Sequence, residues 1–328
     1  MSTSPKPARK GYSLTATIVG LLVFAALILL ALTKASKSRD LTSPTIEPAK
    51  APQGPLESAP AKPQKLIEFA TRGSWSPDGN KVLFGRPMGG GLIILDLATQ
   101  QETELTKNGK DGEWSPDGRH IVYIQEPQFD SYNQETAWVI EPNGKGGRKV
   151  GLGGHPQWSK DGRTLFLSSR LAPEIHAYSV DAPEAPARII FKKTQSWYNA
   201  VSPDGRRVAY GTDGAFIMAD MESGESILNW MTPTRERGLL PSWSPDGSMV
   251  GFGGYNGSPS GIWVMDVTTE TAAQVIPGPF TMPVWSKDGS KLLFDRRLGD
   301  EREIWSVSQK YVDGLLSRVA EKQTLQKK

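Results

Sequence analysis

From Lys81 onward, short apolar runs alternate with polar, glycine-rich breaks, and the runs recur in a fixed order. One set reads KVLFG, HIVYI, TLFLS, RVAYG, MVGFG and KLLFD, apolar at successive positions rather than at every second one. Such runs predict strands covered on both faces. A second set follows: LIILD from Leu92, AWVIE from Ala137, HAYSV from His176, FIMAD from Phe216, IWVMD from Ile262 and EIWSV from Glu303. A third, shorter set begins at Glu102, Arg148, Arg188, Ile227 and Ala272. With the strand that enters each break, every unit holds four strands. The last unit lacks its third run. After Val307 the apolar positions fall at Val312, Leu315, Leu316 and Val319, a helical spacing. At the other end KLIEF, Lys65 to Phe69, is a spare strand. It is placed to supply the missing outer strand and close a ring, which removes exposed sheet edges.

The breaks share one motif. WSPDG starts at Trp75, Trp114 and Trp243, WSKDG at Trp158 and Trp285, and VSPDG at Val201. The intervals between successive starts are 39, 44, 43, 42 and 42 residues. A period of about 40 to 45 residues suits one four-stranded propeller blade. Proline pre-sets the second turn position, aspartate bonds nearby backbone, and glycine accepts the positive φ that leads into the next strand. A reacting group is not needed six times at even spacing, but a turn is. Asp78, Asp117, Asp161, Asp204, Asp246 and Asp288 are therefore read as turn acceptors and not as metal ligands. The expectation is an all-β, six-bladed propeller over residues 65–309, closed by strand 65–69, with a helical tail over 310–328.

These WSPDG turns, the period of about 42 residues and the IWVMD-type strands resemble the TolB-type propeller repeat, a relative of the WD repeats. The resemblance covers six consecutive units, nearly all of the chain after Lys65. It implies a six-bladed envelope protein that binds partner proteins. TolB itself carries an α/β domain before its propeller, and here a proline-rich stretch stands in that place.

Residues Ser13 to Thr33 carry no charge over 21 positions, long enough to cross a bilayer as a helix and longer than the core of a cleaved signal. They are read as a transmembrane signal anchor (13–33) after a short basic leader (1–12). Basic residues flank both sides, so charge barely sets the orientation. A short leader ahead of such an anchor places the propeller outside the cytoplasm, in the periplasm. Residues 34–64 hold six prolines among Ala, Ser, Lys and Gln, the composition of a flexible tether. Charge follows this division. Residues 1–65 hold nine Lys/Arg against three Asp/Glu, so the overall +3 leaves the remainder at −3. A mildly acidic folded domain argues against nucleic-acid binding.

Candidate chemistry is sparse. The chain has no cysteine and three histidines, which removes thiol nucleophiles and thiolate metal sites and leaves imidazole catalysis few options. His120 and His176 are read as strand residues that serve packing. There is no G-x-S-x-G elbow, and GLGGH at Gly151 precedes no helix that could cradle phosphate. No cofactor or metal is expected. Positions that vary within the fixed frame are the better candidates. Three residues before each motif stand Arg72, Asp111, His155, Tyr198, Leu240 and Met282, expected to ring the mouth of the central channel. The insertion QEPQFDSYNQET, Gln125 to Thr136, offers Phe129 and Tyr132 as aromatic anchors for an interface, and YNGSPSG follows from Tyr255. The reading is a non-catalytic, membrane-tethered binding and assembly scaffold for an envelope protein complex. The alternative is a small propeller hydrolase or lyase, or a sensor of a small ligand in the channel, acting on an envelope sugar or peptide.

Overall fold

The structure, a computed structural model, describes residues 62–125, 135–169, 172–183, 185–192, 198–212, 214–231, 239–254 and 261–326. Residues 13–33, most of the 34–64 stretch, Phe129, Tyr132 and the loop from Tyr255 lie outside the described residues. No helix among the described residues is long and apolar enough to cross a membrane.

Six four-stranded antiparallel sheets follow one another along the chain. Blade 1 holds β2 (Thr71–Trp75), β3 (Lys81–Gly85), β4 (Leu92–Asp96) and β5 (Glu102–Thr106). Blade 2 holds β6 (Lys110–Trp114), β7 (Ile121–Gln125), β8 (Thr136–Ile140) and β9 (Arg148–Leu152). Blade 3 is β10 (Gly154–Trp158), β11 (Thr164–Ser168), β12 (Ile175–Ser179) and β13 (Arg188–Phe191). Blade 4 is β14 (Asn199–Val201), β15 (Arg207–Gly211), β16 (Ala215–Asp220) and β17 (Ser226–Met231). Blade 5 is β18 (Ser242–Trp243), β19 (Met249–Phe252), β20 (Ile262–Asp266) and β21 (Thr271–Ile276). Blade 6 takes β22 (Phe280–Trp285), β23 (Lys291–Leu298) and β24 (Glu301–Ser308) from the end of the chain, and β1 (Gln64–Glu68) from its beginning. The innermost strands touch in a cycle that returns from β22 to β2.

β1 pairs antiparallel with β24, Gln64 opposite Ser306 and Glu68 opposite Glu303, as ring closure requires. The strand lies one residue earlier than the 65–69 run. Phe69 takes φ 51, which turns the chain into β2 and leaves its ring 68% exposed. Six apolar clusters hold the blades, one in each seam, and each draws on the two blades that flank it. The apolar centres of the second strands are largely covered, with Val82, Leu83 and Phe84 all at 0% exposure. After β24 the helix α1 (Gln309–Gln326) starts one residue before the expected 310 and lays Val312, Leu315 and Leu316 into the seam between blades 5 and 6.

The turn chemistry is the same in all six blades. In blade 1 the Ser76 hydroxyl donates to Asp78 Oδ1 at 2.6 Å and accepts from the Lys81 amide at 2.9 Å. Asp78 Oδ1 also accepts from the Asn80 amide at 3.1 Å, and Gly79 closes the turn with φ 69. Ser115, Ser159, Ser202, Ser244 and Ser286 repeat the pattern with their own aspartates. These bonds favour the ionised form and hold all six carboxyls below the ordinary range. For Asp204 and Asp246 the bonds win against an opposing burial effect that is the largest single influence. The six aspartates thus serve the turns.

Candidate channel site

The six ring positions come together. Arg72, Asp111, His155, Tyr198, Leu240 and Met282 all line one cavity of about 700 Å³ inside the circle of innermost strands. In four blades a bulge that the sequence pattern does not announce puts the ring residue there. Pairing of the first two strands slips between Thr71 and Ser74, Lys110 and Glu113, Gly154 and Gln157, and Thr281 and Val284. Within each slip the ring residue takes a left-handed conformation: Arg72 φ 56, Asp111 φ 52, His155 φ 50, Met282 φ 54. A bulge leaves one residue unpaired and re-aims its side chain.

Neighbours on the ring pair by chemistry. Arg72 Nη1 lies 2.6 Å from Asp111 Oδ1. The His155 and Tyr198 rings meet edge to face, centroids 4.3 Å apart. Leu240 and Met282 form the apolar arc. Behind the ring, Asp295 is 1% exposed, and its carboxylate accepts the Arg72 amide at 3.0 and 2.9 Å, tying blade 6 to blade 1. Burial pushes its pKa up to about 6, against the pull of the Arg72 amide and of the Arg297 and Arg72 charges.

Below the ring a second ion pair crosses blades. Lys287 Nζ, from the blade 6 turn, lies 2.8 Å from Glu113 Oε1 on β6. The third motif position faces this mouth, as Pro116, Lys160, Pro203, Pro245 and Lys287 in the cavity lining. At 160 and 287 lysine takes the place of proline. Its recurrence at one motif position was the available signal for a mouth residue.

Three of the motif tryptophans stitch the seams. Trp158 Nε1 donates to the Glu113 carbonyl at 3.2 Å, Trp243 to that of Ala200 at 2.9 Å, and Trp285 to that of Ser242 at 3.2 Å. Val201 has no indole, and a side chain running the other way replaces the stitch. Gln157 Nε2 donates to the Asn199 carbonyl at 3.1 Å while Gln157 Oε1 accepts the Val201 amide at 2.9 Å. Asn199 Nδ2 adds a bond to Ser168 Oγ at 2.9 Å.

The remaining histidines play no part in the cavity. His176, on β12, faces Glu174 at 3.0 Å. His120 is not in a strand; it stands just before β7, half-buried, as the residue that ends the Asp117 turn. Among the described residues no three His, Asp or Glu side chains are grouped to hold a metal ion.

No family model matches the chain, and no curated protein matches it. Among solved structures it is similar to TolB from Acinetobacter baumannii at 16% identity and TM-score 0.47, over 62% of this chain and 53% of that one. The chain thus spans about half the length of that TolB. It is similar to the Cps50 (Swd1) β-propeller domain of Myceliophteria thermophila at 12% identity and TM-score 0.51, over 75% of this chain and 100% of that one. An oligogalacturonate lyase in complex with manganese matches at 14% identity and TM-score 0.50, over 74% of this chain and 77% of that one. At such identities the likeness is one of fold, and the fold is the six-bladed propeller that the sheet order shows.

Proposed function

We propose that this propeller is a non-catalytic binding and assembly module of the cell envelope, tethered to a membrane through residues 13–33. Recognition of a partner protein is placed at the channel and its mouth. The observation that carries the reading is the composition of the cavity wall. Four of its seven charged side chains meet in pairs, Arg72 with Asp111 and Glu113 with Lys287, beside an aromatic and an apolar arc. Such a mixed surface suits side chains of a protein partner, with apolar contact at its centre and polar groups around it. The test is cross-linking in intact cells, gentle detergent extraction and affinity capture. A near-stoichiometric envelope protein, lost from Arg72→Glu, is the expected result. Recovery of the chain alone would defeat the reading.

One observation favours a second reading, a hydrolase, lyase or ligand sensor for an envelope sugar or peptide. Asp111, Glu113 and His155 open onto one cavity of about 700 Å³, a size that fits a small molecule. Saturable binding of an envelope oligosaccharide or peptide, with turnover abolished in Glu113→Gln, would establish it over the scaffold.

A further inference from the structure

The six seams between blades share one construction, and one seam is incomplete. In five of them the motif tryptophan plugs the seam toward the preceding blade. It packs against the residue eight positions past that blade's motif start: Trp75 with Leu293, Trp114 with Leu83, Trp158 with Val122, Trp243 with Ala209. Trp285 meets Gly251, where an added Cβ would stand 3.5 Å from the indole Nε1. In two of these seams a second residue, six past that start, lies over the plug. Lys291 Nζ is 5.0 Å from the Trp75 ring centroid and Arg207 Cζ is 5.4 Å from that of Trp243.

Between blades 3 and 4 both parts are cut back. Val201 stands in the plug position, and Thr164 stands where the other blades carry Lys81, His120, Arg207, Met249 and Lys291. Phe166, eight past the motif start, is bulkier than its counterparts and packs beside Val201, which refills part of the space. It does not refill all of it. Phe166 and Thr164 stay half-buried and line the cavity, and among the described residues no other blade contributes either of these positions to the lining. The cavity therefore runs sideways into this one seam.

We infer that this notch receives in trans the indole that the repeat lacks in cis, a tryptophan side chain of a partner polypeptide. The inference rests on the reading of the cavity as a recognition site and names the group recognised. The ring lies against Phe166, Thr164 and Val201. Its N–H meets the Gln157 carbonyl, the counterpart of the Glu113, Ala200 and Ser242 carbonyls that accept Trp158, Trp243 and Trp285. The lip carries Asp161 and Asp204, both ionised in their turns, with Lys160, Arg163, Arg206 and Arg207 close by.

The test is ligand-observed saturation-transfer NMR on the full chain in detergent, with N-acetyltryptophanamide as the probe. Saturable binding with a dissociation constant of about 1 mM is expected for so small a group. N-acetylphenylalaninamide, which lacks the indole N–H, should bind about fivefold more weakly, the worth of one neutral hydrogen bond. N-acetylleucinamide should show none. Thr164→Arg installs at this seam the side chain that blade 4 carries in Arg207, so it should fold and weaken the tryptophan probe at least tenfold. Val201→Trp fills the notch directly and should do the same, which keeps the test decisive if either variant proves unstable. Equal binding of the three probes, no saturable binding, or undiminished binding in both variants would overturn the inference. A captured partner without probe binding sinks the notch alone. Probe binding without any captured partner sinks the assembly reading and leaves the notch.

Discussion

Asp295 allows the closure of the ring to be perturbed through a single proton. Its carboxylate is buried against blade 1 and holds the Arg72 amide with both oxygens, at 3.0 and 2.9 Å. Burial sets its native pKa at about 6, where an unfolded chain returns it to an ordinary 3.8. The native state thus binds this proton more tightly between pH 4 and 6. Stability from this group is greatest in acid and declines as pH rises through the native value. A difference of about 2 units, at about 1.4 kcal/mol each, makes that decline about 3 kcal/mol. Asp295→Asn retains the shape and removes the titration. Urea unfolding of both proteins from pH 4 to 7.5 should show the wild type losing about 3 kcal/mol relative to the variant across the interval. The turn aspartates stay out of this window, because their native values are depressed and their contributions fade only below pH 4. A difference curve that is flat, or that rises toward pH 7, would refute the reasoning. It would mean that the amide bonds outweigh burial and keep Asp295 ionised throughout.

Other consequences can be measured on the same scaffold. Ser244→Ala deletes the hydroxyl that donates to Asp246 at 2.6 Å and accepts from Met249 at 2.9 Å, and should cost about 1–3 kcal/mol in urea unfolding. Asp288, held at about 2 by Ser286 and Ser290, gives stability that is present above 3.8 and lost as pH falls through 2. Asp288→Asn should therefore flatten the acid limb between pH 4 and 2. Trp243→Phe removes the 2.9 Å bond to the Ala200 carbonyl and part of the seam, for an expected loss of about 1–3 kcal/mol. Val312→Asp puts an unpaired carboxylate where α1 is fully buried and should lower stability by at least about 3 kcal/mol.

The repeat made the blades, the turns and the closing strand legible because a single motif recurs with its glycine and aspartate in register. Ring positions were legible for the same reason. A fixed offset from a recognised turn puts a residue at the same height in every blade. Pairings across blades were not legible. Lys287 meets Glu113 across 174 positions of sequence, and no local pattern records that the channel brings them together. Asp295 left a trace that only the register explains. It ends KLLFD where three of the other five runs end in Gly85, Gly211 and Gly253, and a carboxylate in place of glycine needs a partner in the next blade. Val201 stood out in sequence as the one motif start that is not tryptophan. Its meaning required seeing Gln157 reach forward to replace the stitch and Thr164 leave the notch uncovered.

Joining β1 to β24 also imposes an order in time. Gln64 leaves the ribosome about 240 residues ahead of its partner Ser306. At about 5–20 residues per second, that is on the order of 10–50 s of synthesis. For this interval the nascent chain carries a strand with its hydrogen-bonding edge unmet, while five blades assemble behind it. Contacts this distant in sequence are made late and slowly. Completion of the circle is therefore the step at which a growing chain is most open to capture by a chaperone, or to pairing with the β24 of a neighbouring copy.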